Sequence, residues 1–540
     1  MKKASILVLV LSLFLFVFPL PKTVKADTVL PYNTTVTGEI TEHSSSQAYT
    51  VTAEEAGTLT INFTVYFSSA LLEFRDSNNE LVGEYEWVNG GSPGNPKILQ
   101  KEVNIEPVVY TVFVKDNNKI SFGKYDLSVA FNPVHNTETE PNQTFTEAMS
   151  IQVNGKRIRG FISANDHHDY YKVEVEEAGR LKLDIVSQMR SGTVEFYDAK
   201  GDMISRDSLG YYEGTPVTWK THQDFEAGTY YIHIMGYGSN QGIYEMLVSF
   251  MPANNEEIEL NNNKFTAMPI SIMDPKMYTG FLSYTDRYDY YKIDMKFDGY
   301  VTINFSSEFS GYQLTDGISI NYASHRGSGS IGHPEASTQR IALPKGVYYF
   351  VPFAQVSWQS GVYTMSFKAE VDFKDVTGRY MPAVTFLADK EVTNGITKTE
   401  FGVYDNIKRV DAAIWLAKIL ELDQSDSTTT TYLDVPKRAW GAVNALKVAN
   451  IANGKSATHF GADDTMTRGE MALLLKRAYG LSAEGVEHPF IDVAPHYEEA
   501  VNALLKNNVT QGKSPTRFGT GEPITRGEMA LFLYRVEAAR

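Results

Sequence analysis

The chain has 540 residues, a formal net charge of −16 and no cysteine. That length calls for several domains, and the missing thiols exclude a disulfide framework, a thiol nucleophile and a Cys-ligated metal. The acidic balance argues against nucleic acid as a partner, because phosphate binding needs clustered Lys and Arg.

Lys2 and Lys3 precede an apolar run from Ile6 to Phe18, and Val24-Lys-Ala26 supplies small residues at a cleavage point. The pattern predicts a secretory signal peptide over 1–26, since the run is short for a membrane span and its flanks are wrong for one. The mature chain then begins near Asp27, and no later stretch is apolar enough to cross a bilayer. Retention at a surface would have to be non-covalent.

Residues 27–372 repeat weakly three times. A Gly-x-Tyr pattern closes each unit at Tyr125, Tyr244 and Tyr363, 119 residues apart both times. Runs opening at Val109-Tyr110, Gly228-Thr-Tyr230 and Gly346-Val-Tyr348 alternate in polarity and are rich in Tyr, Val and Ile. They read as short strands between Gly, Asn and Asp turns. Units of this size predict three antiparallel β-sandwiches, at 27–133, 134–252 and 253–372.

Units two and three share further landmarks. Unit two has Glu138-Thr-Glu140-Pro-Asn142, Gly160-Phe-Ile and Asp166-His-His-Asp169; unit three has Glu257-Ile-Glu259-Leu-Asn261, Gly280-Phe-Leu and Asp286-Arg-Tyr-Asp289. On these residues the units resemble the bacterial pre-peptidase C-terminal (PPC) domain, a β-sandwich appended to secreted enzymes and surface proteins. Unit one keeps Gly38-Glu-Ile but has Ser-Ser-Ser-Gln where the Asp pair would stand, and it lacks the acidic opening. Glu138, Glu140, Asn142, Asp166 and Asp169, and likewise Glu257, Glu259, Asn261, Asp286 and Asp289, are hard oxygen donors of the kind calcium takes in sets of six to eight. The resemblance implies calcium in the second and third sandwiches, since collagen-binding relatives use a similar segment for it. A solvated acidic linker would have the same composition.

Signals for an enzyme are weak. Gly90-Gly-Ser92-Pro-Gly94 matches Gly-x-Ser-x-Gly, but it lies in a turn between strands, whereas a nucleophile elbow needs strand, turn and helix. His167 and His168 are neighbours on a predicted strand and point to opposite faces, which suits a surface strand better than a metal. The chain reads as non-enzymatic.

The last third repeats in tighter register. Phe373-Lys-Asp375-Val376, Tyr432-Leu-Asp434-Val435 and Phe490-Ile-Asp492-Val493 open three units, and an Arg follows each Asp at a constant distance, at 409, 468 and 526. Gly395, Gly454 or Gly512 marks a turn between them, followed by Phe401, Phe460 or Phe518. Val384/Leu387, Val443/Leu446 and Val501/Leu504 predict a first helix. A second follows from helical spacing at Ala412, Trp415, Leu416 and Ile419 and at the matching positions. Thr467 with Glu470, and Thr525 with Glu528, fit a capping box. Units of this size cannot bury a core alone and must stack. The predicted fold class is therefore multidomain: three antiparallel β-sandwiches, then an all-α pseudo-threefold body of three helix–loop–helix units at 373–431, 432–489 and 490–540.

These units resemble S-layer homology (SLH) repeats, which attach bacterial surface proteins to the wall. The resemblance implies a pyruvylated secondary cell-wall polysaccharide as partner, bound in grooves between repeats, at the surface of a Gram-positive bacterium. Arg409, Arg468 and Arg526 sit in the first turn of a helix, where a cation opposes the helix dipole. An anion shared with the helix N-terminus would offset that cost, and so would a salt bridge to the repeat's own Asp375, Asp434 or Asp492. Gly454-Lys455-Ser456 and Gly512-Lys513-Ser514 offer a second cation and a hydroxyl, or a merely solvated loop. Repeat one departs, with Gly395-Ile-Thr and Lys408-Arg409-Val-Asp411. Trp440 and Tyr497, at first-helix starts, suit either a sugar face or core packing. Rival readings are an adhesin whose sandwiches bind collagen or another host or matrix protein, and a lattice-forming S-layer subunit.

Overall fold

A computed structural model describes residues 28–540 apart from 117–119, 211–214, 237–239, 274–275, 319, 355–359 and 426–427; the predicted signal peptide lies outside the described residues. The chain divides into two compact units, Met1–Pro252 and Ala253–Arg540. Strands fill the described chain up to Val371 as three pairs of sheets, and α-helices occur only beyond it. None of the described helices is long and apolar enough to cross a membrane.

The second sheet pair shows why the sequence folds this way. Along Gly179–Ser187, Leu181, Leu183 and Ile185 are buried while Lys182 and Asp184 face outward, the period of two that one covered face demands. This strand lies in a four-stranded sheet ordered Ile158–Ile162, Gly242–Pro252, Gly179–Ser187 and Val217–Phe225. The facing sheet is ordered Met149–Ile151, His168–Val175, Gly228–Gly236, Ser191–Asp198 and Met203–Gly210. The first and third pairs repeat the same order of five and four strands. One detail corrects the expectation of purely antiparallel sandwiches. Each five-stranded sheet has a short parallel edge, pairing Thr28 with Tyr49, Met149 with Tyr171 and Met268 with Tyr291.

The Gly-x-Tyr repeat has a packing origin. The rings of Tyr125, Tyr244 and Tyr363 lie over Gly38, Gly160 and Gly280 on the neighbouring strand, where an added Cβ would come within 2.3 Å of the ring. Each of these buried tyrosines shares a hydrogen bond with a second one, Tyr49, Tyr171 or Tyr291.

Among the described residues beyond Val371 there are six α-helices: α1 (Met381–Asp389), α2 (Arg409–Ile419), α3 (Trp440–Val448), α4 (Arg468–Tyr479), α5 (Glu498–Lys506) and α6 (Arg526–Ala538). The second helix of one repeat packs on the first helix of the next, as α2 on α3, α4 on α5 and α6 on α1. The capping boxes at Thr467/Glu470 and Thr525/Glu528 form as expected. The segments leading into the second helices bond in a cycle: Ile407 N–H donates to the Ile524 carbonyl, Ile524 to Met466 and Met466 to Ile407.

Candidate functional site

The site between repeats is built from the aromatic-x-Asp motif. The carboxylate of Asp375 accepts the amides of Phe401, Gly402 and Val403, and Asp434 accepts those of Phe460, Gly461 and Ala462, all at 2.7–2.8 Å. Asp492 holds the amides of Phe518 and Gly519 in the same way. Gly402, Gly461 and Gly519 have φ of 77–83°, a conformation that favours glycine. The Asp thereby fixes a tight turn and presents the Phe carbonyl to the next helix.

That carbonyl is what the arginine meets. Arg409, Arg468 and Arg526 open α2, α4 and α6 and are 8%, 3% and 9% exposed. Their Nε atoms donate to the carbonyls of Phe460, Phe518 and Phe401 at 2.9–3.0 Å. Each guanidinium also lies over the ring of the same Phe, 4.9–5.0 Å from its centre. Thus every Arg ties its own repeat to the following one, and Arg526 ties the third back to the first.

Two sequence expectations change here. The arginines do not bridge their own aspartates, because Asp375, Asp434 and Asp492 are occupied by turn amides. Nor are the helix starts open to an anion. The amides of Arg409, Arg468 and Arg526 donate to Asp464, Glu522 and Asp405 carbonyls, and those of Val410, Gly469 and Gly527 to Ala462, Thr520 and Val403. The charge of Arg468 is instead met by Glu528 of the next capping box, Nη1 to Oε1 3.0 Å, and that of Arg409 by Glu470 at 3.6 Å. Repeat one has Asp411 at that position, and it pairs with Arg438. Arg526 Nη2 reaches Thr393 Oγ1 at 3.4 Å. Burial lowers the pKa of Arg468 and Arg526, although neighbouring carboxylates oppose the shift.

Beside Arg468 opens a cleft of about 430 Å³, lined by Arg379, Lys513, Glu528, Phe532 and Arg535, with Thr510, Gln511, Gly512 and Leu531. Gly512 and Lys513 are thus both at its wall. Lys513 Nζ bonds Glu522 at 2.5 Å and lies 3.9 Å from Glu528; Lys455 likewise bonds Asp464 at 2.7 Å and lies 3.9 Å from Glu470. Ser456 and Ser514 are exposed on their turns, and the Ser456 hydroxyl accepts the His459 amide. The Gly454 amide donates to Tyr432 Oη. Trp440 donates its indole N–H to the Val435 carbonyl and packs at the core, while the Tyr497 ring covers Gly469. Both rings pack against the core and remain partly exposed.

The sandwiches carry a second feature. In the second, carboxylate oxygens of Glu138, Glu140 and Asp169 lie within 4.8 Å of one another; Glu257, Glu259 and Asp289 do the same in the third. Asn142 and Asn261 are fully buried, and neither side-chain O nor N has a hydrogen-bond partner. One oxygen each of Asp169 and Asp289 is similarly buried and unpartnered. Asp166 and Asp286, the remaining acids of the two predicted sets, are 2% and 5% exposed but are not among these mutually close oxygens. Burial raises the pKa of Glu138, Asp166 and Asp169, and pushes Glu140 up to about 8 with help from Asp166 and Glu138. Asp289 is raised well above its usual range, first by burial and then by Glu257 and Asp286. Buried acids with orphaned oxygens fit a hard divalent cation, which would supply the missing partner.

The tyrosine pairs, whose role the sequence reading missed, hold these acids. Tyr244 Oη is hydrogen-bonded with Asp169 at 2.6 Å and Tyr171 Oη with Glu138 at 2.8 Å; Tyr363 and Tyr291 are bonded in the same way with Asp289 and Glu257. The signal was on the page, since Gly-x-Tyr recurs in all three units, but nothing in its spacing links it to the acids. His168 opens a strand and is exposed, as expected, though it also meets the buried His233 at 3.1 Å. The Gly90–Gly94 turn joins strand Glu86–Asn89 to strand Lys97–Ile105, so the context of a nucleophile elbow is missing.

Comparison with known proteins matches the S-layer homology domain model at residues 372–413, 431–472 and 489–530. The surface-layer 125 kDa protein of Lysinibacillus sphaericus is 31% identical over 174 residues, 30% of this chain and 14% of that protein. Collagenase ColA of Clostridium perfringens is 26% identical over 239 residues, 42% of this chain and 21% of that protein. The chain thus spans about a fifth or less of the length of these relatives. Among solved structures, the pre-peptidase C-terminal domain of a Bacillus anthracis collagenase is a neighbour at 20% identity and a TM-score of 0.17, covering 21% of this chain and all of that one. The domain match and the surface-layer relatives mark a bacterial cell-surface protein. The chain carries three S-layer homology domains in its C-terminal part.

Proposed function

We propose that this protein is exported by a signal peptide over 1–26 and held non-covalently on the wall of a Gram-positive bacterium. The segment 373–540 acts as an all-α pseudo-threefold foot that binds pyruvylated secondary cell-wall polysaccharide, and non-enzymatic sandwiches at 27–133, 134–252 and 253–372 are displayed at the cell surface. One observation carries the reading: a 430 Å³ cleft between repeats with four cations, Arg379, Arg468, Lys513 and Arg535, around one acid, Glu528. A ketal carboxylate entering there would compete with Glu528 for Arg468 and Lys513. Leu531 and Phe532 offer an apolar wall to a sugar face. Arg409 with Lys455, and Arg526, would serve equivalent grooves.

The test is sedimentation of the mature chain with native and depyruvylated wall polysaccharide. A charge-assisted hydrogen bond contributes about 1.5–3 kcal/mol, so Arg468→Gln should weaken binding to native glycan about ten- to a hundredfold. Equal binding to both glycans ends the proposal.

In the second and third sandwiches we read the acid clusters as calcium sites. Glu138, Glu140, Asn142, Asp166 and Asp169 would hold one ion; Glu257, Glu259, Asn261, Asp286 and Asp289 would hold the other. The buried, unpartnered asparagines support this, since a solvated linker would leave them exposed. The likeness to a collagenase over 42% of the chain favours a second reading, collagen or a related matrix protein as partner of the sandwiches. Calcium-dependent binding of the mature chain to collagen fibrils would support it.

A further inference from the structure

The turn that carries Asp166 of the second sandwich lies against the first sandwich, beside a first-sandwich carboxylate. Glu106 stands in the turn between strands Lys97–Ile105 and Val109–Lys115. Its backbone is stapled by Tyr110, whose hydroxyl accepts the Glu106 amide at 2.8 Å and donates to the Glu106 carbonyl at 3.0 Å. Glu106 Oε1 is buried without a hydrogen-bond partner.

What faces Glu106 belongs to the second sandwich. Ser163 opens the short turn that carries Asp166, with the Ser163 amide donating to the Asp166 carbonyl at 2.8 Å. That turn is seated on the first sandwich: the Ala164 amide donates to the Asn104 carbonyl at 3.3 Å, and Asn165 Nδ2 to Asp76 Oδ2 at 3.2 Å. Burial, opposed by a hydrogen bond with Ser163 and reinforced by the charges of Asp166 and Glu138, pushes Glu106 up to about 7. Glu106, with one buried oxygen left unpartnered, thus stands two residues from the strand end that seats the Ser163–Asp166 turn, and the cluster which that turn adjoins in sequence holds the unpartnered side chain of Asn142. Like charges at close range repel; protonation relieves that repulsion, and a bound cation would turn it into an attraction.

We propose that Glu106 completes the cation site of the second sandwich from the first, so that a bound calcium ion fastens the two sandwiches together. This rests on the calcium reading above and adds an interdomain ligand to it. The ion would then set the angle between the domains, because one of its donors belongs to the other domain.

The test uses the full mature chain carrying Asp289→Asn, which disables the third-sandwich site and leaves the second to be titrated alone. Calcium affinity is measured by calorimetry, and the interdomain bond is followed by amide hydrogen exchange at Ala164 with and without calcium. Adding Glu106→Gln should raise Kd about tenfold or more, as losing a charged donor does. It should also abolish calcium-dependent protection of Ala164. Should Glu106→Gln lower the melting temperature before calcium is added, Glu106→Asp keeps the charge but shortens the reach, and it should show the same two losses.

Unchanged affinity in the Glu106 variants overturns the proposal while the calcium reading stands. Weaker binding with Ala164 still protected by calcium overturns the fastening. Absence of calcium binding in the unsubstituted chain removes both.

Discussion

Asp434 shows how one residue sets the geometry of a whole repeat. It is legible in the sequence as a register mark, and a salt bridge to Arg468 is one of the two roles the sequence leaves open. In the fold its carboxylate is saturated by three amides of the Phe460–Ala462 turn. Asp434→Ala should cost about 1.5–3 kcal/mol, the range for hydrogen bonds to a charged acceptor, read as a lower melting temperature. The pH dependence follows from the same bonds. Burial works to raise Asp375, Asp434 and Asp492, but the turn amides outweigh it and hold all three below the usual Asp value. A depressed carboxylate contributes stability above its unfolded value, about 3.9, and loses it as pH falls through the folded value. Circular dichroism at 222 nm, which follows the helices, should therefore show melting temperatures falling below about pH 4. A melting temperature flat from pH 5 to pH 2 would contradict this.

At the scale of elements, the junction between consecutive repeats is a matched pair of residues. Gly469, second in α4, lies under the Tyr497 ring, and a Cβ there would approach it to 2.8 Å; Gly527 in α6 lies under Tyr380 at 2.9 Å. Repeat one has Val410 at the glycine position, and Ala439 stands where the tyrosine would be. The departure of Lys408-Arg409-Val-Asp411 from Thr-Arg-Gly-Glu is thus a size exchange as well as a change of charge. Gly469→Ala should destabilise by about 1–3 kcal/mol through overpacking, although in a free helix Ala would gain up to about 1 kcal/mol over Gly. Tyr497→Ala should restore most of the loss in the double variant. A coupling energy near zero in that cycle would show that the ring and the helix do not press on each other.

Over the whole helical region, closure separates this arrangement from an open solenoid. An open array can lose a terminal repeat and keep the others, since each repeat touches only its neighbours. Here Arg526 bonds the Phe401 carbonyl of the first repeat, and the Ile407, Met466 and Ile524 amides form a cycle with no free end. Removing 490–540 would strip Arg468 of both Phe518 and Glu528 and leave the apolar face of α1 uncovered. The shortened chain should lose most of its helical circular dichroism. Retention of about two thirds of that signal, with a urea transition of its own, would mean that the repeats stand independently.

The sequence by itself determined the strand and helix periodicities, the three copies of each unit, the arginine register and the acid sets of the second and third sandwiches. These are local patterns, written at spacings of two, of 3.6 and of a constant repeat, and they survive without knowledge of neighbours. Only the tertiary structure decided what each polar group meets: the Asp its turn amides, the Arg a carbonyl of the following repeat, and the tyrosine pair the acids. The reason is physical. A buried hydrogen-bonding group takes whichever partner the packing brings within about 3 Å, and that partner here is 26 to 125 residues away along the chain.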